Sequence, residues 1–203
     1  MRMRKKKNGD LRREVCADYF IQEKPYDKSG IMLEIGCGKG GFMLKLARKF
    51  PDEQYVCIEK ISDVILLAAE KMKREEIPNV KLLNCDAEQL PEYFAEGSVK
   101  RIYLNFSDPW PRPKHAKRRL TSPRYLEIYK KLLKKDGAIF FKTDNRPLFD
   151  YSLETFAEAG LKLEKLTYDL HNSEYEAENL HTEYEDNFSA KGFTINRVEA
   201  YIN

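Results

Sequence analysis

The chain is short of the residues that build metal centres and covalent frameworks. Its four cysteines, Cys16, Cys37, Cys57 and Cys85, include no C-x-x-C pair, so reduced, mostly buried thiols in a cytoplasmic protein are expected. Only three histidines occur, His115, His171 and His181, and none pairs with a cysteine at ligand spacing; no metal site is expected. No apolar run exceeds the six residues from Val64 to Ala69, and the basic start Met1 to Lys7 leads into charge instead of an apolar segment. Neither a membrane span nor a signal peptide is expected. Tryptophan occurs once, at Trp110.

With 203 residues, 42% of them hydrophobic, the chain can bury one good core but hardly two, so a single domain over 11–203 is expected behind a flexible basic arm at 1–10. The net charge of +3 hides an uneven distribution. Residues 1–13 hold seven Lys/Arg against one acid and residues 112–119 hold five against none, a pattern suited to a polyanion.

Residues 31–41, Ile-Met-Leu-Glu-Ile-Gly-Cys-Gly-Lys-Gly-Gly, organise the rest. An apolar strand runs into a glycine-rich turn and then into a helical pattern ending before Pro51. Gly36, Gly38 and Gly41 fit the dinucleotide pattern G-x-G-x-x-G, which alone is a weak signal. Glu34 weighs against a dinucleotide: an acid at the strand's carboxyl end repels a pyrophosphate and attracts a cation. S-adenosylmethionine carries a sulfonium and an ammonium and no phosphate. Glu59 ends the next apolar run about 23 residues beyond Gly36, near the spacing at which an acid meets ribose hydroxyls.

Around this turn the pattern predicts a helix over 11–23, a strand at 54–58, a helix over 63–75 and a strand at 80–84. A short helix over 88–94, a strand at 99–105, a helix over 123–135 and a strand at 138–143 follow, then a helix to 159 and strands at 161–168 and 192–202. Alternating β and α elements imply a mostly parallel sheet. Asp86 ends the third strand, where it can meet an adenine amino group or cap a helix. Asp108 lies just past the fourth strand in a stiff loop, Asp-Pro-Trp-Pro, placed to accept from a base edge. The block Arg112, Lys114, His115, Lys117, Arg118 and Arg119 then offers phosphate contacts. Asp144-Asn145 ends the fifth strand, and Thr182 with Glu185 has the spacing of a capping box.

In sum these motifs resemble the bacterial tRNA (guanine-N7-)-methyltransferase family along nearly the whole chain. The carriers are Glu34-Ile35-Gly36-Cys37-Gly38, Glu59, Asn84-Cys85-Asp86-Ala87, Asn105 to Pro111 and Thr182-Glu183-Tyr184-Glu185. The glycine motif is widespread; the Asp-Pro-Trp-Pro loop joined to Thr-Glu-Tyr-Glu is much more specific. The resemblance implies a class I, Rossmann-like α/β methyltransferase fold with a mostly parallel seven-stranded sheet and helices on both faces. It implies transfer of a methyl group from S-adenosyl-L-methionine to N7 of guanine 46 in the variable loop of tRNA. Glu34, Gly36, Gly38, Glu59, Asp86 and Asp108 would serve the cofactor, with Asp108 also catalytic. Arg112, Asp144 and Thr182, Glu183, Tyr184 and Glu185 would hold the substrate nucleotide. Arg112 stands where the family often has lysine, with a different fork geometry. No obligate protein subunit is expected, in a monomer or homodimer. The rivals are methylation of an exocyclic amine or other base, and a non-catalytic RNA-binding protein on the same scaffold.

Overall fold

A computed structural model describes residues 8–189 and 191–202; positions 1–7 of the expected basic arm lie outside the described residues. Seven strands form one sheet in the order β3-β2-β1-β4-β5-β7-β6. The strands are β1 (Ile31–Ile35), β2 (Tyr55–Ile58), β3 (Val80–Leu83), β4 (Val99–Asn105), β5 (Leu133–Thr143), β6 (Lys162–Thr167) and β7 (Asn196–Tyr201). Pairings from β3 through β5 are parallel, whereas β7 runs antiparallel between β5 and β6. The helices are α1 (Gly9–Val15), α2 (Gly41–Lys49), α3 (Ser62–Arg74), α4 (Pro123–Leu132), α5 (Arg146–Glu158) and α6 (Glu183–Ser189). Among the described residues no helix is long and apolar enough to cross a membrane.

Strand alternation splits the core in two. Ile31, Leu33, Ile35 and Val56 face α4 and α5, together with Tyr129, Phe149 and Phe156. Met32, Tyr55 and Cys57 face α2 and α3, where Met43, Ile65 and Met72 are fully buried. Each such side chain contributes about 1.5–3 kcal/mol through burial. Close packing of α2 on α3 needs Gly40: it sits at φ 71, and a Cβ there would lie 3.0 Å from Met72 Cε and 3.1 Å from Ala68 Cβ. All four cysteines are buried free thiols.

Three boundaries differ from the sequence pattern. The helix expected over 11–23 ends at Val15; a 3-10 turn follows at Ala17–Tyr19, and Phe20 bridges to Leu82 at the open edge of β3. Edge pairing outcompetes the helix because Ile21 N–H finds the Leu82 carbonyl at 3.0 Å. The helix expected to reach 135 stops at Leu132, and β5 starts at once, absorbing the Asp136-Gly137 turn as an irregularity opposite Val99–Arg101. The last strand begins at Asn196 instead of 192.

Candidate active site

Successive strands lie to one side of β1 up to β3 and to the other from β4 onward, so the loops leaving β1 and β4 diverge. A crevice opens there, at the carboxyl ends of the strands. Two adjoining cavities fill it. One, of about 290 Å³, is lined by Glu59, Asp86, Ser107, Asp108, Trp110 and Tyr125 among others. The other, of about 410 Å³, is lined by Glu34, Gly38, Phe42, Asn105, Glu183 and Tyr184 among others. Gly36 and Phe106 border both. All six residues expected at the cofactor therefore line one crevice, although they come from the carboxyl ends of four strands and the loops that follow.

Glu34 sets the electrostatics. It is 3% exposed, its Oε1 accepts from Asn105 Nδ2 at 3.0 Å, and its buried Oε2 has no hydrogen-bond partner. Burial lifts its pKa from 4.5 to about 7, against the opposing pull of the Asn105 hydrogen bond and the Lys142 charge. An orphaned buried acceptor costs about 1–3 kcal/mol and is best relieved by a donor, above all a cationic one. Beside it nothing lies within 4 Å of where a Cβ on Gly36 or Gly38 would point, which leaves the turn open for a ligand. Glu59 is fixed at the end of β2 by accepting from Ile61 N at 2.9 Å. Asp86 caps the 3-10 helix Ala87–Glu92, reciprocated by Gln89, and it also lines the crevice.

The loop after β4 bends sharply, with Phe106 at φ 51 and Trp110 at φ 43. Arg119 braces it, donating to the carbonyls of Pro109 at 3.0 Å and Trp110 at 3.2 Å while its guanidinium covers the Tyr151 ring. Asp108 is thereby held on the exposed lip of the crevice, and the buried Ser107 Oγ beside it has no partner. The basic block forms a 3-10 helix, Pro113–Arg118, and it divides by role. Arg118 stacks over Trp110 and His115 meets that ring edge-on at 5.8 Å. Arg112, Lys114 and Lys117 are exposed and, among the described residues, in no ion pair.

The far wall comes from α6 and the turn before it. Glu183 lies over the start of α2, so close that a Cβ on Gly41 would sit 2.8 Å from its Oε1; Lys71 holds it at 2.8 Å. Tyr184 places its ring 4.9 Å from Phe106 and donates to Asp144 Oδ2 at 3.3 Å, bringing two distant expected residues together. Neighbouring Asn145 caps α5. Thr182 and Glu185 form the capping box, Glu185 N to Thr182 Oγ1 at 2.9 Å and Thr182 N to Glu185 Oε2 at 3.2 Å. Glu185 is 0% exposed and turned inward, away from the crevice lining, onto Lys142 Nζ at 2.7 Å.

Lys142, on β5, is a residue that strand periodicity marks only as one more strand position. Its Nζ also donates to Asn179 Oδ1 at 2.9 Å and the Leu180 carbonyl at 3.0 Å, so one ammonium ties down three points, two before Tyr184 and Glu185 just after it. Burial pushes Lys142 down, yet burial's opposite push on Glu185 is overcome by Lys142, Asn179 and His171, which hold that carboxyl low, at about 2. With the Thr182 N–H, four groups meet this one carboxylate and decide for an ionised pair. His171, His181 and Glu185 bring potential ligand atoms within 4.8 Å of one another. The two imidazoles, however, stack parallel at 4.8 Å, and both His181 nitrogens meet carboxylates, Glu176 and Asp186. Parallel rings cannot aim their in-plane lone pairs at one ion, so the cluster reads as a hydrogen-bonded stack.

Residues 28–198 match the family described as "Putative methyltransferase". A tRNA (guanine-N(7)-)-methyltransferase of Macrococcus caseolyticus is 47% identical over 189 residues, covering 93% of this chain and 87% of its own. The protein of that name from Bacillus cytotoxicus is 51% identical over 170 residues, covering 84% and 78%. Among solved structures, a SAM-dependent methyltransferase from Aquifex aeolicus superposes with a TM-score of 0.59 at 14% identity, covering 95% of this chain and 89% of that one, and shares its fold.

Proposed function

Because this chain belongs to the tRNA (guanine-N(7)-)-methyltransferase family, we propose that it transfers the methyl group of S-adenosyl-L-methionine to N7 of guanine 46 in the variable loop of tRNA. The observation that carries the cofactor half is the orphaned, buried Glu34 oxygen above an open glycine turn. It fits the ammonium of S-adenosylmethionine, which when bound supplies an electrophilic methyl on its sulfonium. Glu59 then takes the ribose hydroxyls and Asp86 the adenine amino group. Guanine N7 has a lone pair and no proton, so no general base is needed and the residues work by alignment. Asp108 accepts from the guanine N1 and N2 hydrogens and favours the positive charge that develops on the ring. Thr182, Glu183 and Tyr184 bound the same space from the other wall, with Asp144 holding the Tyr184 hydroxyl, and Arg112 with the basic helix meets phosphates. The target base must leave its stack to reach them. The protein acts in the cytoplasm on tRNA, as a monomer or homodimer without an obligate subunit.

Glu34 makes cofactor affinity depend on pH. Burial raises its carboxyl in the ligand-free protein to about 7, and the ammonium requires the ionised form, so affinity should fall about tenfold for each pH unit below 7, and fall again above about 8 as the ligand's α-ammonium loses its proton. Calorimetry across that range checks this, and Glu34→Gln should flatten the acid limb of the profile; an equally steep acid limb in the variant would remove the role. The sign for stability is opposite. With the folded value raised above the unfolded one, this group's contribution to the ligand-free protein is full at acid pH and lost as pH rises through 7.

The basic helix should show its division of labour in salt. Neutralising Arg112, Lys114 and Lys117 together is expected to reduce the slope of log affinity for tRNA against log salt by roughly 2, at about 0.7–0.9 per phosphate contact. Arg119→Lys should leave that slope nearly unchanged and weaken cofactor binding through the loop it braces. Equal slopes for the triple variant and the parent would take these three side chains off the phosphates.

The deciding experiment uses labelled S-adenosylmethionine and two tRNA transcripts that differ only by guanine or adenine at the variable-loop position, with the product mapped by N7-methylguanine-specific strand cleavage. Label and cleavage at that guanine alone support the proposal. Label without cleavage would point to an exocyclic amine or another base; no label on any RNA would point to a binding protein.

A further inference from the structure

A third cavity, of about 370 Å³, lies on the α2 face of the sheet over β4, β5 and β7. It is comparable in size to either half of the crevice, from which Phe42 and Asn105 partition it. Its floor is a row of rings crossing four elements: Phe42 to Tyr103 at 5.1 Å, Tyr103 to Phe140 at 5.5 Å and Phe140 to Tyr201 at 6.4 Å, each pair inclined edge to face. Alternation explains the row, because every second residue of a strand faces the same side, and α2 adds Phe42 at one end.

Charge in this cavity is lopsided. Five cations line it, Lys49, Arg101, Lys142, Lys165 and Arg197, against two acids, Glu178 and Glu199. Three of the cations are spent on carboxylates: Lys142 on Glu185, Lys165 on Glu178 and Arg197 on Glu199. Among the described residues, Arg101 and Lys49 have no carboxylate at ion-pair distance. Arg101 lies half-buried with its guanidinium 4.1 Å from the Phe140 centroid, and among the described residues its hydrogen bond is to Tyr103 Oη, at 3.3 Å. A planar cation laid on an aromatic floor keeps its outward donors directed at whatever enters.

We propose that this cavity is a second ligand site, for a small aromatic anion: a ring bearing a phosphate or a carboxylate. The ring lies along the Tyr103–Phe140–Tyr201 row and the anionic group meets Arg101, with Lys49 at the mouth. A sulfonium or metal cation would be repelled by the two charges that lack a carboxylate partner, and a purely apolar ligand would leave Arg101 desolvated with Tyr103 Oη as its acceptor and no counter-charge.

Calorimetric titrations with guanosine 5′-monophosphate and 4-hydroxybenzoate, and with their neutral counterparts guanosine and 4-methylphenol, test the site with and without saturating S-adenosylmethionine. At least one anion should bind equally well in both conditions, at least tenfold more tightly than its neutral counterpart. Arg101→Met should weaken it tenfold or more and Lys49→Met by a smaller factor. The better of the two anions identifies phosphate or carboxylate as the natural group. The site is refuted if neither anion binds once S-adenosylmethionine is present, or if both variants bind as the parent does. Should Arg101→Met fail to fold, the exposed Lys49→Met still decides. The heat of binding is read without turnover, so a wrong target atom for methylation would not disturb the result.

Discussion

Replacing Asp108 by alanine is expected to lower turnover by about 100- to 1,000-fold, the range typical of removing one preorganised group that meets charge as it develops. Guanine becomes cationic as N7 takes the methyl, and its N1 and N2 hydrogens become stronger donors at that moment. A carboxylate on them gains more in the transition state than in the ground state, so kcat falls further than binding does. The structure makes Asp108 suited to this: the loop that follows it is stiffened by two prolines and fixed by both Arg119 hydrogen bonds, and its carboxylate lies on the exposed lip of the crevice, two residues from Phe106, which borders both halves. Asp108→Asn retains one acceptor without the charge and should recover part of the loss. Single-turnover rates with saturating tRNA and cofactor check both variants, and separate titrations watch for weakened cofactor binding. Normal turnover at ordinary tRNA affinity would pass the role to another acid, and Asp144, hydrogen-bonded to Tyr184, is the next to replace.

Much of this arrangement could be read from local pattern. The apolar run 31–35, the glycines after it and the acids at 34, 59, 86 and 108 mark strand ends, and in an open parallel sheet strand ends share one edge. Convergence of those acids therefore follows from topology alone. Side-chain direction in irregular segments does not. Nothing in Thr182-Glu183-Tyr184-Glu185 announces that Glu183 and Tyr184 face the crevice while Glu185 turns away, because that choice is made by a lysine 43 residues earlier on β5. Likewise Arg119 sits in a basic run like its neighbours, but three contacts pull it inward and leave Arg112, Lys114 and Lys117 outside. The early helix failed for a related reason: the edge of β3 offered Phe20 and Ile21 a partner that helical periodicity cannot reveal.

Lys142→Met should be the most destabilising of the substitutions considered, at about 3–5 kcal/mol, because it strands the Glu185 carboxylate in the interior. In a domain of this size that corresponds to a fall in Tm of roughly 6–20 °C. The penalty belongs to the unpaired charge more than to the lost bridge, so Lys142→Met combined with Glu185→Met should recover most of it. Thermal melts of the two single variants and the double variant check this, and a double variant as unstable as the worse single one would refute it. Activity of the double variant then separates two roles for Glu185. If methyl transfer returns together with stability, the ion pair only holds the segment that delivers Thr182, Glu183 and Tyr184. If stability returns while KM for tRNA stays high and cofactor affinity is normal, the carboxylate itself meets the nucleotide, and its seat on Lys142 is the position from which it must move.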